Sequence, residues 1–85
     1  MQNRIVHVSG LAATISDSQL CTLFGTYGIV AHAYVVRDTY SGKSAGYGFV
    51  EMRSPEQALN AVVELEGTEF AGRCLRLSVT PYAMG

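Results

Sequence analysis

Hydrophobic positions along the chain follow two periods, and these periods predict four strands and two helices. The β-rich run at residues 5–8 predicts a first strand. Two more β-rich runs, 29–38 and 47–52, flank a turn-forming segment and predict a hairpin of the second and third strands. Residues 74–79 alternate apolar with polar side chains, which predicts a last strand with one face toward water.

Two segments have helical spacing and helix boundary residues. The first begins at Ser16 as N-cap with a glutamine three residues later, and Gly28 is expected to end it. The second begins at Ser54, where Gln57 completes the same capping box, and Gly67 is expected to end it. The predicted buried stripes are Leu20, Leu23, Phe24 and Tyr27 in the first helix, and Ala58, Ala61, Val62 and Leu65 in the second.

The element order β-α-β-β-α-β predicts an α+β, ferredoxin-like sandwich. In this fold a four-stranded antiparallel sheet carries both helices on one face and leaves the other face open. The chain has 85 residues, enough for a single domain, with a core expected at about residues 5–80.

The third predicted strand shows which side chains lie on the open face. Side chains two residues apart share a face of a strand, so Tyr47, Phe49 and Glu51 lie together, opposite Val50 and Met52. Burying an unpaired carboxylate is costly, whereas valine and methionine suit a core. Glu51 therefore places both rings on the open face.

Two further aromatic side chains are expected on that face. His7 points outward if its valine neighbours on the first strand point inward, and Tyr34 points outward if Ala33 and Val35 point inward. So much exposed aromatic surface indicates a partner. Aromatic surfaces of this kind hold single-stranded bases by stacking.

Composition limits how such a partner would be bound. Six Lys and Arg against seven Asp and Glu give a formal net charge of −1. Domains that bind nucleic acid chiefly by neutralising phosphates are usually basic. Any nucleic-acid binding must therefore depend mainly on stacking.

No pattern in the sequence indicates a cofactor or a membrane span. Cys21 and Cys74 lie far apart and outside any C-x-x-C pair, so we expect two free thiols, no metal and no other cofactor. No apolar run reaches the length of a membrane span. We expect an intracellular protein, cytoplasmic or nuclear.

The stretch AGYGFVEM, residues 45–52, resembles the eight-residue signature of the RNA recognition motif family, also called the RRM or RNP domain. VHVSGL, residues 6–11, is similar to the family's six-residue signature, and the resemblance continues to about residue 79. It implies that Phe49 and His7 each stack a base and that Tyr47 packs against sugars or a base between them. It also implies contacts from residues 80–82, including Tyr82.

The chain departs from the family pattern at charged and aromatic positions. Ala45 stands where the family has a phosphate-binding Lys or Arg, and Lys43 is a candidate replacement. His7 replaces a Phe or Tyr. Arg76, outward on the last strand, is either a solvated charge or a contact to phosphate and base.

We therefore expect a monomeric domain that binds single-stranded RNA, with single-stranded DNA as a further candidate. The expected binding residues are His7, Tyr34, Lys43, Tyr47, Phe49, Arg76 and Tyr82. The alternative is a protein-interaction module that uses the same sheet face or the helical face. We expect no enzyme: the loop after the first strand, SGLAATIS, has neither the arginine of an acylphosphatase nor the cysteines of a metal chaperone, and neither histidine has a catalytic partner in a motif.

Overall fold

The structure is a computed structural model that describes residues 3–80. Its elements, in chain order, are β1 (Ile5–Ser9), α1 (Asp17–Gly25), β2 (Val30–Arg37), β3 (Ser44–Met52), α2 (Pro55–Leu65), β4 (Glu69–Phe70), β5 (Arg73–Cys74) and β6 (Arg76–Thr80). No helix in this part of the chain is long and apolar enough to cross a membrane.

The main sheet has the strand order β2-β3-β1-β6, with every neighbouring pair antiparallel. The two signature strands, β1 and β3, are therefore the central pair, with Val6 opposite Val50 and His7 opposite Phe49. Both helices pack on the same side of this sheet. The ferredoxin-like fold is confirmed.

The core lies between the sheet and the helices. Val6 and Val8 on β1 and Val50 and Met52 on β3 are fully buried, as the alternation predicts. The helix residues in the core are Leu20 and Phe24 of α1 and Ala58, Ala61 and Leu65 of α2. Each large apolar side chain buried in this way contributes about 1.5–3 kcal/mol. This burial fixes which face of the sheet remains open.

The first helix begins as predicted but ends earlier. Ser16 Oγ accepts a hydrogen bond from Gln19 N at 3.1 Å, and Gln19 Oε1 accepts one from Ser16 N at 2.9 Å, which completes the capping box. The helix ends at Gly25 with Thr26 as its C-cap, so the prediction that Gly28 ends it is wrong.

Gly28 instead allows a close approach between the start of β2 and α2. A Cβ at this position would lie 2.8 Å from Gln57 Oε1 and 2.9 Å from Gln57 Cβ. That Oε1 accepts a hydrogen bond from Ile29 N at 2.8 Å. The predicted second capping box is therefore only half formed, because Ser54 caps Gln57 N while the Gln57 side chain binds Ile29.

A small hairpin of β4 and β5 separates α2 from the last strand, and the sequence pattern does not predict it. Gly67 ends α2 with φ +78°, as predicted. Ala71 and Gly72 then have φ of 54° and 84°, the left-handed conformations of a tight two-residue turn. Cys74 belongs to β5, so the last strand begins at Arg76 and not at residue 74.

Gly28→Ala should destabilise the domain by about 1–3 kcal/mol, because the new methyl group overlaps Gln57 and displaces it from Ile29. The urea midpoint of unfolding measures this loss. Gly25→Ala is the matched control, since a Cβ there meets nothing within 4 Å. Equal midpoints for the two variants would contradict the packing role of Gly28.

Candidate functional site

Strand register aligns a row of side chains across the open face of the sheet. Tyr34 on β2 lies opposite Phe49 on β3, Phe49 opposite His7 on β1, and His7 opposite Ser78 on β6. Tyr47 lies in the next row, opposite Ser9. Strands β1, β2 and β3 thus bring the four predicted aromatic side chains onto one surface.

These four side chains, His7, Tyr34, Tyr47 and Phe49, contact one another, and we call them the aromatic platform. The ring centroids of His7 and Phe49 lie 5.2 Å apart, and those of His7 and Tyr47 5.4 Å apart. Tyr34 lies 5.8 Å from Phe49, and Tyr47 lies 6.3 Å from Phe49. All four distances fall within the range of favourable aromatic pairs. The platform is thus pre-formed.

The platform belongs to the solvent side of the sheet. Each of its four side chains is half-buried, whereas Val50 and Met52, which alternate with Phe49 and Glu51 along β3, are fully buried. Glu51 lies on the platform side, opposite Ile5 and His32. The assignment of faces from Glu51 is therefore confirmed.

Two glycines of β3, Gly46 and Gly48, let neighbouring elements approach this strand closely. Gly48 lies between Tyr47 and Phe49 on the helical side, where a Cβ would clash with the Tyr34 carbonyl and lie 3.3 Å from Leu20 Cδ2. Gly46 has φ +85°, a conformation that glycine adopts without strain, and its carbonyl accepts a hydrogen bond from Leu11 N at 2.9 Å. Helix α1 and the loop after β1 can therefore approach the strand closely.

His32 extends the aromatic surface toward the edge at β2, and sequence reasoning missed it. Its ring centroid lies 5.9 Å from that of Tyr34 in an edge-on arrangement. Its position two residues before Tyr34 is the pattern that predicts a shared face.

Arg76 lies at the outer edge of β6 and is held there by an acid. Its Nε donates to Glu66 Oε2 at 3.0 Å, while Glu66 Oε1 accepts from Leu77 N at 2.6 Å. The hydrogen bond from the Leu77 backbone lowers the pKa of Glu66 below its ordinary value of 4.5. Desolvation opposes this effect, and the hydrogen bond and charge of Arg76 add to the lowering. Arg76 is separated from Tyr47 by Ser9 and is not part of the platform.

Lys43 lies in the exposed loop between β2 and β3. Asp38 orders this loop: its Oδ1 accepts from Tyr40 N at 2.8 Å and Ser41 N at 2.9 Å, and these bonds, Ser41's first, lower the pKa of Asp38. Asp38 N donates to the Lys43 carbonyl at 2.8 Å. The loop backbone is thus defined, but no contact places Lys43 on the platform among the residues described.

The remaining predictions concern Tyr82, the two cysteines and metal binding. Tyr82 lies outside residues 3–80, so its predicted contact stays a prediction. Cys21 and Cys74 are exposed free thiols. Within residues 3–80, no cluster of three or more His, Cys, Asp or Glu side chains is arranged to hold a metal ion.

The fold and the platform together are those of a known family. The family model of the RNA recognition motif matches residues 6–76, and the chain belongs to this family. The 29 kDa ribonucleoprotein A, chloroplastic, of Nicotiana sylvestris is 42% identical over 73 residues, which are 86% of this chain but 27% of that protein. The chain therefore spans about a quarter of that relative.

Solved structures of RNA-binding proteins share the fold of this chain. The crystal structure of RNA binding protein PG1 superposes with a TM-score of 0.92 at 33% identity, covering 96% of this chain and 99% of that one. The structure of the Rna15 RRM with bound RNA (GU) has a TM-score of 0.83 at 26% identity, covering 93% of this chain and 84% of that one.

The stability of the fold should depend on pH through Glu66. Because folding lowers its pKa, Glu66 stabilises the folded state above pH 4.5 and loses this effect as the pH falls through the folded pKa. Glu66→Gln should therefore lower the urea midpoint at pH 7, and the difference from wild type should shrink as the pH falls below 4.5 and through the folded pKa. Glu64→Gln, exposed on the same helix, is the control. A constant difference at all pH values would contradict this role.

Proposed function

We propose that this domain binds single-stranded RNA by stacking bases on the aromatic platform. The observation that carries the proposal is the contact among four rings on the sheet face opposite the helices. Such a surface receives flat ligands, and stacking on an aromatic side chain contributes about 1–3 kcal/mol per base. The RNA-bound Rna15 structure supports the same ligand class for this fold.

In this proposal each ring has a separate task. His7 and Phe49, on adjacent strands, each stack one base, giving about two or three bases in total with their neighbours. Tyr47 packs against the sugar or a base between them, and Tyr34 extends the surface beside Phe49. The centroid separation of 5.2 Å between His7 and Phe49 supports a continuous stacking surface.

Charge has a smaller part in the proposed binding. The chain has a net charge of −1. It has Ala45 at the signature position where the family has a Lys or Arg. Arg76 and Lys43 are the proposed phosphate or base contacts, and Tyr82 a further ring. Since Arg76 already pairs with Glu66, RNA must share it with that acid. Few neutralised phosphates mean weak dependence on salt.

We further propose that residues 5–80 fold as one monomeric, non-enzymatic domain. The family match over residues 6–76 and the single core support this extent. Single-stranded DNA has the same bases and is a second candidate ligand. The alternative is a protein partner on the helical face, where Leu59 and Val63 are exposed. Variants on the two faces of the domain distinguish this alternative from RNA binding.

Phe49→Ala should weaken binding of a fluorescein-labelled single-stranded RNA by about 1–3 kcal/mol, as measured by fluorescence anisotropy. The domain should stay folded in thermal unfolding, because Phe49 lies outside the buried core. Leu59→Ala, on the helical face, should bind RNA like the wild type. Loss of binding in Leu59→Ala with none in Phe49→Ala would favour the helical face and contradict the proposal.

A further inference from the structure

Glu51 is an acidic side chain next to the aromatic platform. It follows Phe49 by two residues on the same face of β3, and it lies opposite Ile5 on β1 and His32 on β2. Its side chain is 25% exposed. A carboxylate on a surface that meets a polyanion weakens binding unless it accepts hydrogen bonds from that ligand.

Arg4 holds this carboxylate in place and offsets its charge. Arg4 Nη2 lies 3.4 Å from Glu51 Oε2, and the Arg4 carbonyl accepts a hydrogen bond from Met52 N at 2.8 Å. Among residues 3–80, no donor is hydrogen-bonded to Glu51 Oε1. The ion pair thus engages Oε2 and leaves Oε1 as an acceptor on the platform side of β3.

The position of this acceptor suits the edge of a stacked base. A strand rises about 3.3 Å per residue, so Glu51 lies about 7 Å along β3 from Phe49. Tyr47 is on the other side of Phe49 along the same face. A base stacked on Phe49 is therefore bordered by a ring at one end and by the carboxylate at the other.

The chemistry of the acceptor selects among the four bases. A carboxylate only accepts hydrogen bonds, and it accepts two when both donors are side by side. Guanine presents N1–H and N2–H₂ side by side on its Watson–Crick edge. Uracil presents one N–H between two carbonyls, and adenine and cytosine each present an amino group beside an unprotonated ring nitrogen. Guanine alone offers two matching donors.

We propose that Glu51 recognises the Watson–Crick edge of a guanine stacked on Phe49, accepting hydrogen bonds from N1–H and N2–H. Arg4 acts as the positioning residue for this contact. The inference rests on the proposed function, because it requires a base on Phe49. It gives the domain a preference for guanine at one position, where stacking alone tolerates every base.

Fluorescence anisotropy with three labelled RNA pentamers tests this: UUUUU, UUGUU and UUIUU, where inosine (I) is guanosine without its 2-amino group. The wild type should bind UUGUU about tenfold more tightly than UUIUU or UUUUU, the usual range for a bidentate base contact. Glu51→Gln should abolish that preference without weakening UUUUU. Glu64→Gln, which removes an acid from the helical side, should retain it.

The outcomes separate this inference from the proposed function. Equal wild-type affinities for UUGUU and UUIUU overturn the role of Glu51, and so does an equal loss for all three RNAs in Glu51→Gln. The inosine comparison alters only the RNA and holds even if the variant fails to fold. Binding of UUUUU without a guanine preference overturns the inference alone, whereas no binding of any pentamer overturns the proposed function as well.

Discussion

Both helices pack against one side of the four-stranded sheet, and this packing determines which side chains form the core and which form the aromatic platform. Leu20, Phe24 and Ala61 supply the apolar surface that covers Val6 and Val50 on the central strands. That burial uses one face of the central strands, β1 and β3. The alternate residues of the same strands are then presented to solvent, so the core and the platform are two sides of one pattern of alternation.

The rings of the platform are half-buried because they pack on one another. His7, Tyr34, Tyr47 and Phe49 come from three strands, and the register of β1, β2 and β3 fixes their spacing. A ligand therefore meets rings already in position and has little ordering to impose, which favours affinity. In the proposed binding this pre-formed surface matters more than charge, since Arg4 and Arg76 are already paired with acids.

The spacing of apolar side chains along the sequence predicts most of the fold and most of the aromatic platform. The alternation around Glu51 predicts both the buried valines and the exposed rings, because a period of two residues assigns every position of a strand to a face. Gly28 was assigned to the end of α1 because glycine often ends a helix. Its role in the structure is to permit close packing against Gln57, a residue distant in sequence, so the local pattern does not reveal it. The hairpin of β4 and β5 has strands of two residues, too short to show a period. The partner of Arg76 depends equally on tertiary contact, since Glu66 is brought to it by the end of α2.

An NMR titration of the ¹⁵N-labelled domain with a short single-stranded RNA tests the central claim most directly. If RNA stacks on the aromatic platform, chemical-shift changes will be concentrated on β1 and β3, at His7, Tyr47 and Phe49, with smaller changes at Tyr34. Changes confined to α1 and α2, with these residues unmoved, would contradict it and would place the binding surface on the helical side of the sheet.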